Sequence, residues 1–201
     1  EQELSDNGIH LNDEFPLFDY IWPDRPERPK NKLFIHDEKI VGEDVDSKVG
    51  RVLAEVKTEL ANSIMLSALD DIAWVTNLRT AGDIAFSPIF VAYLYLDDSR
   101  RVLFIDKDKL SPEVAEHLRK YSFEVMPYES VLDFVTILPK ETRLLIDPEK
   151  TSRGLYDHIG CTPVFGGASV AKLKSVKNET MIANIRTAMR KDGVALVRFF
   201  M

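Results

Sequence analysis

The sequence predicts an α/β domain in which a mixed β-sheet packs between helices. From residue 33 onwards, short apolar segments typical of strands alternate with segments whose apolar residues recur every three or four positions, as in helices. Such alternation builds layered α/β domains. A turn at Asp97, Asp98 and Ser99 joins two strand segments and predicts a hairpin inside the sheet.

The first half of the domain follows this alternation element by element. Residues 33–35 form the first predicted strand. A helix follows, because Asp46 or Ser47 can cap it and the apolar positions after them keep helical spacing. These positions are Val49, Val52, Leu53, Val56 and Leu60. Residues 64–66 are then predicted as a strand and residues 69–76 as a short helix.

The second half continues in the same way. A β-branched and aromatic run at 89–96 predicts a strand, and the hairpin returns over 101–105. A helix begins after Ser111, because Ser is a good N-cap and Pro112 suits the first helical position. The remaining predicted elements are strands at 123–126 and 144–146 and helices at 130–138 and 152–159.

The composition excludes several classes of function. The 201 residues carry a formal charge of −7, which argues against a nucleic-acid partner and an anionic membrane partner, because phosphate binding needs clustered positive charge. The longest apolar run, at 89–96, is far shorter than the ~20 residues that span a bilayer. Residues 1–4 lack the features of a signal peptide. The single cysteine, Cys161, fits a reducing compartment, so we expect a cytoplasmic protein.

Both ends of the chain differ from the middle. Four prolines between Pro16 and Pro29 exclude helix from residues 22–29, so residues 1–32 are interpreted as an extended linker. Its apolar residues, Phe15, Leu17, Phe18, Tyr20, Ile21 and Trp22, indicate that it packs against another surface. At the other end, Asn178 can cap a helix whose apolar stripe still runs at Met201. That helix either docks on this domain or opens a further one.

Carboxylates at strand ends are the one set that suggests metal chemistry. Asp106 and Asp147 each follow a predicted strand, and Asp70 and Asp71 follow a third. Carboxylates at the ends of parallel strands can share Mg²⁺, as in ribonuclease-H-like nucleases. The favoured interpretation is that these acids cap the next turn or helix, since the chain lacks the basic surface of a nuclease.

Two sequence segments resemble a known family. The first runs from Ser67 to Arg79 and continues through Asp83-Ile84 and Ser87 to Tyr93. The second runs from Lys177 to Leu196, and the proline-rich residues 21–26 support both. Together they are similar to the three-domain cytosolic-type aminopeptidase P, the Xaa-Pro aminopeptidase of the creatinase/prolidase superfamily. The resemblance covers nearly the whole chain in the right order.

The resemblance implies a fold, a domain division and a role. The fold is the three-layer, ribonuclease-H-like creatinase/prolidase N-terminal domain. Residues 1–32 would be an interdomain linker, 33–176 the α/β domain, and 177–201 the first helix of a truncated catalytic (pita-bread) domain. The chain would then be a non-catalytic middle domain that shapes the substrate cleft of an enzyme removing the N-terminal residue from peptides with proline second. The alternative is a self-contained α/β interaction or oligomerisation module.

The resemblance also implies cofactors and partners. The parent enzyme would hold two divalent metal ions, usually manganese in this family, on two aspartates, a histidine and two glutamates that lie beyond Met201. We therefore expect no catalytic or metal-binding residue in this chain and no activity of the chain alone. The expected partners are the catalytic domain of the same polypeptide and the peptide substrate, with a homodimer as a further expectation for the parent.

Arg79 and Asp83 are the candidate substrate-cleft residues. The resemblance places the α/β domain beside the catalytic cleft, so a loop that holds these two residues could meet the substrate or a neighbouring subunit. The alternative is that they pair with each other or with a helix end, where a surface pair contributes ~0–1 kcal/mol.

Overall fold

A six-stranded mixed sheet lies at the centre of the fold. The structure is a computed structural model that describes residues 2–10, 17–167 and 169–201. The strands are β1 (Leu33–Ile35), β2 (Ser63–Leu66), β3 (Leu78–Thr80), β4 (Tyr93–Asp97), β5 (Arg101–Phe104), β6 (Phe123–Met126), β7 (Arg143–Ile146) and β8 (Thr162–Phe165). The helices are α1 (Gln2–Asp6), α2 (Leu17–Ile21), α3 (Glu38–Val41), α4 (Val45–Thr58), α5 (Leu69–Thr76), α6 (Pro112–Lys120), α7 (Val131–Thr136), α8 (Arg153–Asp157), α9 (Ser169–Ser175) and α10 (Glu179–Phe200).

The strand order of the large sheet is β6-β5-β4-β2-β7-β8. The central strand β4 is antiparallel to both of its neighbours, β2 and β5, whereas the outer pairs are parallel. A separate two-stranded sheet pairs β1 with β3. The mixed sheet and the hairpin between β4 and β5 are therefore confirmed.

Helices cover both faces of the sheet. Along β2, Ile64 and Leu66 face one core with α4, α5 and α6, while Met65 faces a second core with α7 and α8. The split follows from the strand itself, because successive side chains of a strand point to opposite faces. All three residues are buried, as expected for a strand covered on both sides. The result is the predicted helix–sheet–helix layering.

Several predicted element limits were wrong for identifiable reasons. The strand expected at 89–96 is β4, which begins only at Tyr93, because the backbone N–H of Val91 donates to the Asp83 side chain at 3.2 Å instead of to a strand. Helix α4 begins before the proposed caps Asp46 and Ser47. Its N-cap is Asp44, whose carboxylate accepts a hydrogen bond from the N–H of Ser47 at 2.7 Å.

The interpretation of residues 1–32 as extended is wrong in part. Residues 2–6 and 17–21 form the short helices α1 and α2, because no proline lies inside either segment. Beyond α2, residues 22–32 contain neither helix nor strand, as the prolines require. The apolar residues of α2, together with Trp22, are exposed. Phe15 lies outside the described residues.

The linker contacts the domain through polar groups close to β1. The Arg28 guanidinium lies 4.1 Å from the ring centroid of Tyr128 and forms an ion pair with Glu129. The Nζ of Lys32 donates to the backbone oxygen of Asp108 at 2.6 Å. These contacts hold the last residues before β1 against the domain.

Helix α10 confirms the predicted C-terminal helix and its cap. The Oδ1 of Asn178 accepts a hydrogen bond from the N–H of Met181 at 2.8 Å. All residues from Ile182 to Met201 are exposed, including the apolar stripe. Among the described residues, no helix is both long enough and apolar enough to cross a membrane.

Candidate functional site

The loop of residues 81–92 joins β3 to β4 and contains Asp83. Asp83 forms an ion pair with Lys109, and both side chains are almost completely buried. The carboxylate also accepts hydrogen bonds from Asn31 Nδ2 and from the N–H of Val91, each at 3.2 Å. One buried carboxylate therefore ties together the linker, the loop and the segment that carries Lys109.

Local sequence features place these partners. Asp106 caps the 3-10 helix Lys107–Lys109, because its side chain accepts from the N–H of Asp108 at 2.9 Å. Lys109 ends this short helix and is buried. On the other side, Gly82 has a φ of +114°, a conformation that favours glycine, and turns the chain directly before Asp83.

Arg79 has a different set of partners from Asp83. Its guanidinium donates to the backbone oxygens of Ala73, in α5, and of Leu78, the latter at 2.7 Å. Burial lowers the pKa of Arg79. Of the two alternatives, contact with a helix end is therefore confirmed for Arg79, and pairing between Arg79 and Asp83 is wrong.

The outward side of the loop carries apolar residues that the sequence reasoning did not select. Ile84 pairs with Ser87 in an isolated β-bridge, and Phe86 between them is fully exposed at a φ of +61°. A non-glycine residue in this region is strained, and the cost is of order 1–3 kcal/mol. Asp83 thus anchors the loop from inside, while Ile84 and Phe86 form the surface that another molecule could contact.

A buried lysine in α4 contacts the end of α5, which leads into β3 and the loop. Lys48 is completely buried in α4, and its Nζ donates to the backbone oxygen of Trp74 at 3.0 Å and to Asn77 Oδ1 at 2.5 Å. The same Nζ lies 4.7 Å from the ring centroid of Trp74. Burial lowers the pKa of Lys48 to about 8.

Asn77 is the residue through which Lys48 acts on β3. It ends α5 with a φ of +53°, and its Nδ2 donates to the backbone oxygen of Glu43 at 3.0 Å. Lys48 and Asn77 together fix the turn from which β3 and the loop start. The sequence contains one signal that identifies Lys48 as a buried lysine. Its position in the helical pattern places it on the buried face of α4 with Val45, Val49 and Val52.

Comparison with known proteins assigns this fold to a family. Residues 24–181 match the Creatinase/Prolidase N-terminal domain family. The chain belongs to this family. The sequence-based resemblance to Xaa-Pro aminopeptidases is also confirmed, by the relatives described next.

Relatives of this creatinase/prolidase N-terminal domain are named as Xaa-Pro aminopeptidases. Xaa-Pro aminopeptidase 1 of Dictyostelium discoideum is 33% identical over 87% of this chain and 28% of its own length. A probable Xaa-Pro aminopeptidase P of Verticillium alfalfae is 32% identical over 92% of this chain and 31% of its own length. The chain therefore spans about three-tenths of the curated relatives that it matches.

The fold has a close counterpart among solved structures. An X-prolyl aminopeptidase from Caenorhabditis elegans, described as a cytosolic enzyme with a di-nuclear active site, superposes with a TM-score of 0.88 at 23% identity. The match covers 99% of this chain and 34% of that one. It confirms the predicted three-layer creatinase/prolidase N-terminal fold.

The described residues of this family member do not fit a two-metal site. Across residues 2–10, 17–167 and 169–201, no group of three or more His, Cys, Asp and Glu side chains is placed to hold a metal ion. The capping interpretation is confirmed for Asp106 and for Asp147, whose carboxylate accepts from the N–H of Glu149 at 3.0 Å. Asp70 and Asp71 instead bind the Nζ of Lys174.

Proposed function

We propose that this chain is the non-catalytic middle domain of an Xaa-Pro aminopeptidase, and that it forms one wall of the substrate cleft. The observation that carries the proposal is the similarity to named Xaa-Pro aminopeptidases, at 33% identity over 87% of this chain and 32% identity over 92%. The parent enzyme removes the N-terminal residue from peptides whose second residue is proline.

The metal chemistry of the parent lies outside this chain. Two divalent ions, with manganese as the expected metal, are held by the catalytic domain that follows in the same polypeptide. The description of the C. elegans relative as di-nuclear supports two ions. Its description as cytosolic supports a cytoplasmic location. A homodimer of the parent remains part of the proposal.

The contribution of this chain is a rigid cleft wall. Arg79 and Asp83 remain the candidate cleft residues, and their contacts assign them different parts. Asp83 acts from inside by fixing the loop against Lys109. Arg79 fixes the end of α5 to β3, the strand that leads into that loop. Ile84 and Phe86 are the side chains of the loop that reach outward toward a bound peptide.

A peptidase assay tests this proposal. The longer gene product that contains this chain should cleave a peptide with proline second in the presence of manganese, and residues 1–201 alone should not cleave it. Replacement of Phe86 by Ala in the longer product should raise KM several-fold. The matched control is Ile137→Ala, since Ile137 is also exposed and apolar but lies at the end of α7.

Three results would contradict the proposal. One is a longer product with no Xaa-Pro peptidase activity, and another is a reading frame past Met201 without the Asp, Asp, His, Glu, Glu ligand set. Both would favour the self-contained interaction module. The third is equal KM for the Phe86 and Ile137 variants, which would remove the loop from the cleft.

A further inference from the structure

Helix α10 meets the domain at one end only. Its main contact is with α3, a helix of four residues. Met181 packs against the larger core, whereas every residue from Ile182 onwards is exposed. The helix has 22 residues and so extends roughly 33 Å at 1.5 Å per residue. Its direction is therefore set by contacts near Asn178.

Two asparagine side chains of this region satisfy the C-terminal carbonyls of α3. Such carbonyls have no partner within their own helix. Asn184 Nδ2 donates to the backbone oxygen of Ile40 at 2.9 Å, and Asn178 Nδ2 donates to that of Val41 at 2.8 Å. Asn178 also caps α10 through its Oδ1. One side chain thus serves the start of one helix and the end of the other.

The backbone at Gly42 brings the two helices into direct contact. Gly42 ends α3 with a φ of +68°. A Cβ at this position would lie 2.7 Å from Thr180 Cβ and 2.8 Å from Asn178 Oδ1. Real Cβ atoms do not approach other atoms so closely, so the packing requires glycine. Gly42 thereby fixes the separation of the helices, while the asparagines fix their relative orientation.

We propose that Asn178 and Asn184 are positioning residues that lock the direction of α10 relative to the sheet. The role in catalysis rests on the proposed function, in which α10 opens the catalytic domain. This contact between α3 and α10, the α3–α10 joint, then determines how the catalytic domain faces the loop that carries Phe86. A tilt of about 20° at the joint would move Lys191 by roughly 6 Å, since it lies about 16 Å along the helix from Thr180.

Pulsed electron–electron double resonance on the 201-residue chain tests this proposal. Spin labels are placed at Lys191→Cys, on α10, and Lys140→Cys, at the exposed turn before β7, with Cys161→Ser removing the native thiol. The test variant combines Asn178→Asp with Asn184→Asp. Aspartate at 178 retains the N-cap acceptor, and aspartate at either position lacks the amide donor to α3.

The matched control is Thr187→Ala. The hydroxyl of Thr187 donates to the backbone oxygen of Ala183 within α10 and makes no bond to α3. We expect a single narrow distribution of spin-label distances for the unmutated chain and for the control. The double aspartate variant should shift or broaden that distance by several ångströms, with unchanged helix content by circular dichroism.

The outcomes separate the two proposals. The proposed lock would be overturned if the double aspartate variant kept the spin-label distance of the unmutated chain. It would also be overturned if the unmutated chain itself gave a broad distance distribution. If the aspartate variant fails to fold, the uncharged pair Asn178→Ser and Asn184→Ser gives the same test, because serine also caps helices. The measurement uses neither metal nor peptide, so the proposed function stands or falls separately on the peptidase assay.

Discussion

The carboxylate of Asp83 and the ammonium group of Lys109 form an ion pair whose side chains are 0% and 2% exposed. Twenty-five residues separate them in the sequence, between positions 83 and 109. Both carboxylate oxygens accept hydrogen bonds, because Asn31 donates to Oδ1 and the backbone N–H of Val91 donates to Oδ2. The pair therefore stabilises the loop that carries Phe86.

Removal of the charge of Asp83 should be strongly destabilising. Asp83→Asn leaves the Lys109 ammonium buried without a counter-charge, which costs about 3–5 kcal/mol. Urea unfolding would measure this loss. The double variant Asp83→Asn, Lys109→Met should recover much of it, because no buried charge then remains. A loss below about 1 kcal/mol in the single variant would contradict a buried ion pair.

Lys48 should make the free energy of unfolding of the chain depend on pH in the alkaline range. Its pKa is about 8 in the folded chain against the ordinary 10.5 of a lysine side chain, because burial disfavours the charged form. Between these pH values the unfolded chain binds more protons, so the free energy of unfolding rises with pH. A difference of this size corresponds to about 3 kcal/mol.

The reference for that measurement is Lys48→Met, which has no ionisable group at this position. Denaturant unfolding of both proteins from pH 7 to pH 10.5 gives the difference in stability at each pH. The free energy of unfolding of the unmutated chain should rise relative to that of Lys48→Met across this range. Equal pH dependence of the two proteins would show that Lys48 does not titrate abnormally.

Phe86 should be replaceable with a gain in stability. Its φ of +61° is costly for a phenylalanine, whereas asparagine adopts this conformation more readily. Since Phe86 is fully exposed, Phe86→Asn loses no buried apolar surface. We expect the free energy of unfolding to rise by about 0.5–1 kcal/mol.

The control for Phe86 is Ile137→Asn, at an exposed residue with a φ of −93°. It relieves no strain and should give no gain in thermal unfolding. If Phe86→Asn destabilises the chain instead, the phenylalanine ring makes a stabilising contact. A gain in stability together with a raised KM in the longer product would indicate a residue kept for function.

The sequence predicted those features that depend on local pattern. The predicted strand at 123–126 is confirmed as β6, and the predicted caps Ser111 and Asn178 are the N-caps of α6 and α10. These signals lie within a few residues of the feature that they specify. The three-residue strand β3 was missed, because its pairing partner β1 is distant in sequence and its few residues carry no periodicity.

The candidate site could be predicted only as a location. The family resemblance points to Arg79 and Asp83. It does not identify Ala73 in α5 and Lys109, their partners from other elements. The sequence does not predict Lys109 as the partner of Asp83, because no pattern in the segment around Lys109 indicates that this lysine is buried. Phe86 was overlooked because a strained φ has no signature in a single sequence. Tertiary packing, not local propensity, decides each of these features.

Two glycines in similar sequence surroundings should respond to alanine in opposite directions. Gly42 has a φ of +68°, and an added Cβ would lie 2.7 Å from Thr180 Cβ. Gly50 lies inside α4 with nothing within 4 Å of an added Cβ. Gly42→Ala should cost about 1–2 kcal/mol for the conformation alone, and the contact with Thr180 adds to that cost.

Gly50→Ala should stabilise the chain by about 0.5–1 kcal/mol, because alanine is the better helix former. Thermal unfolding of the two variants beside the parent measures both effects. In the spin-label experiment, Gly42→Ala should also displace α10, whereas Gly50→Ala should leave the distance unchanged. A stable Gly42→Ala variant with the parent distance would show that α3 and α10 do not need the close approach, and the lock on α10 would then rest on the asparagines alone.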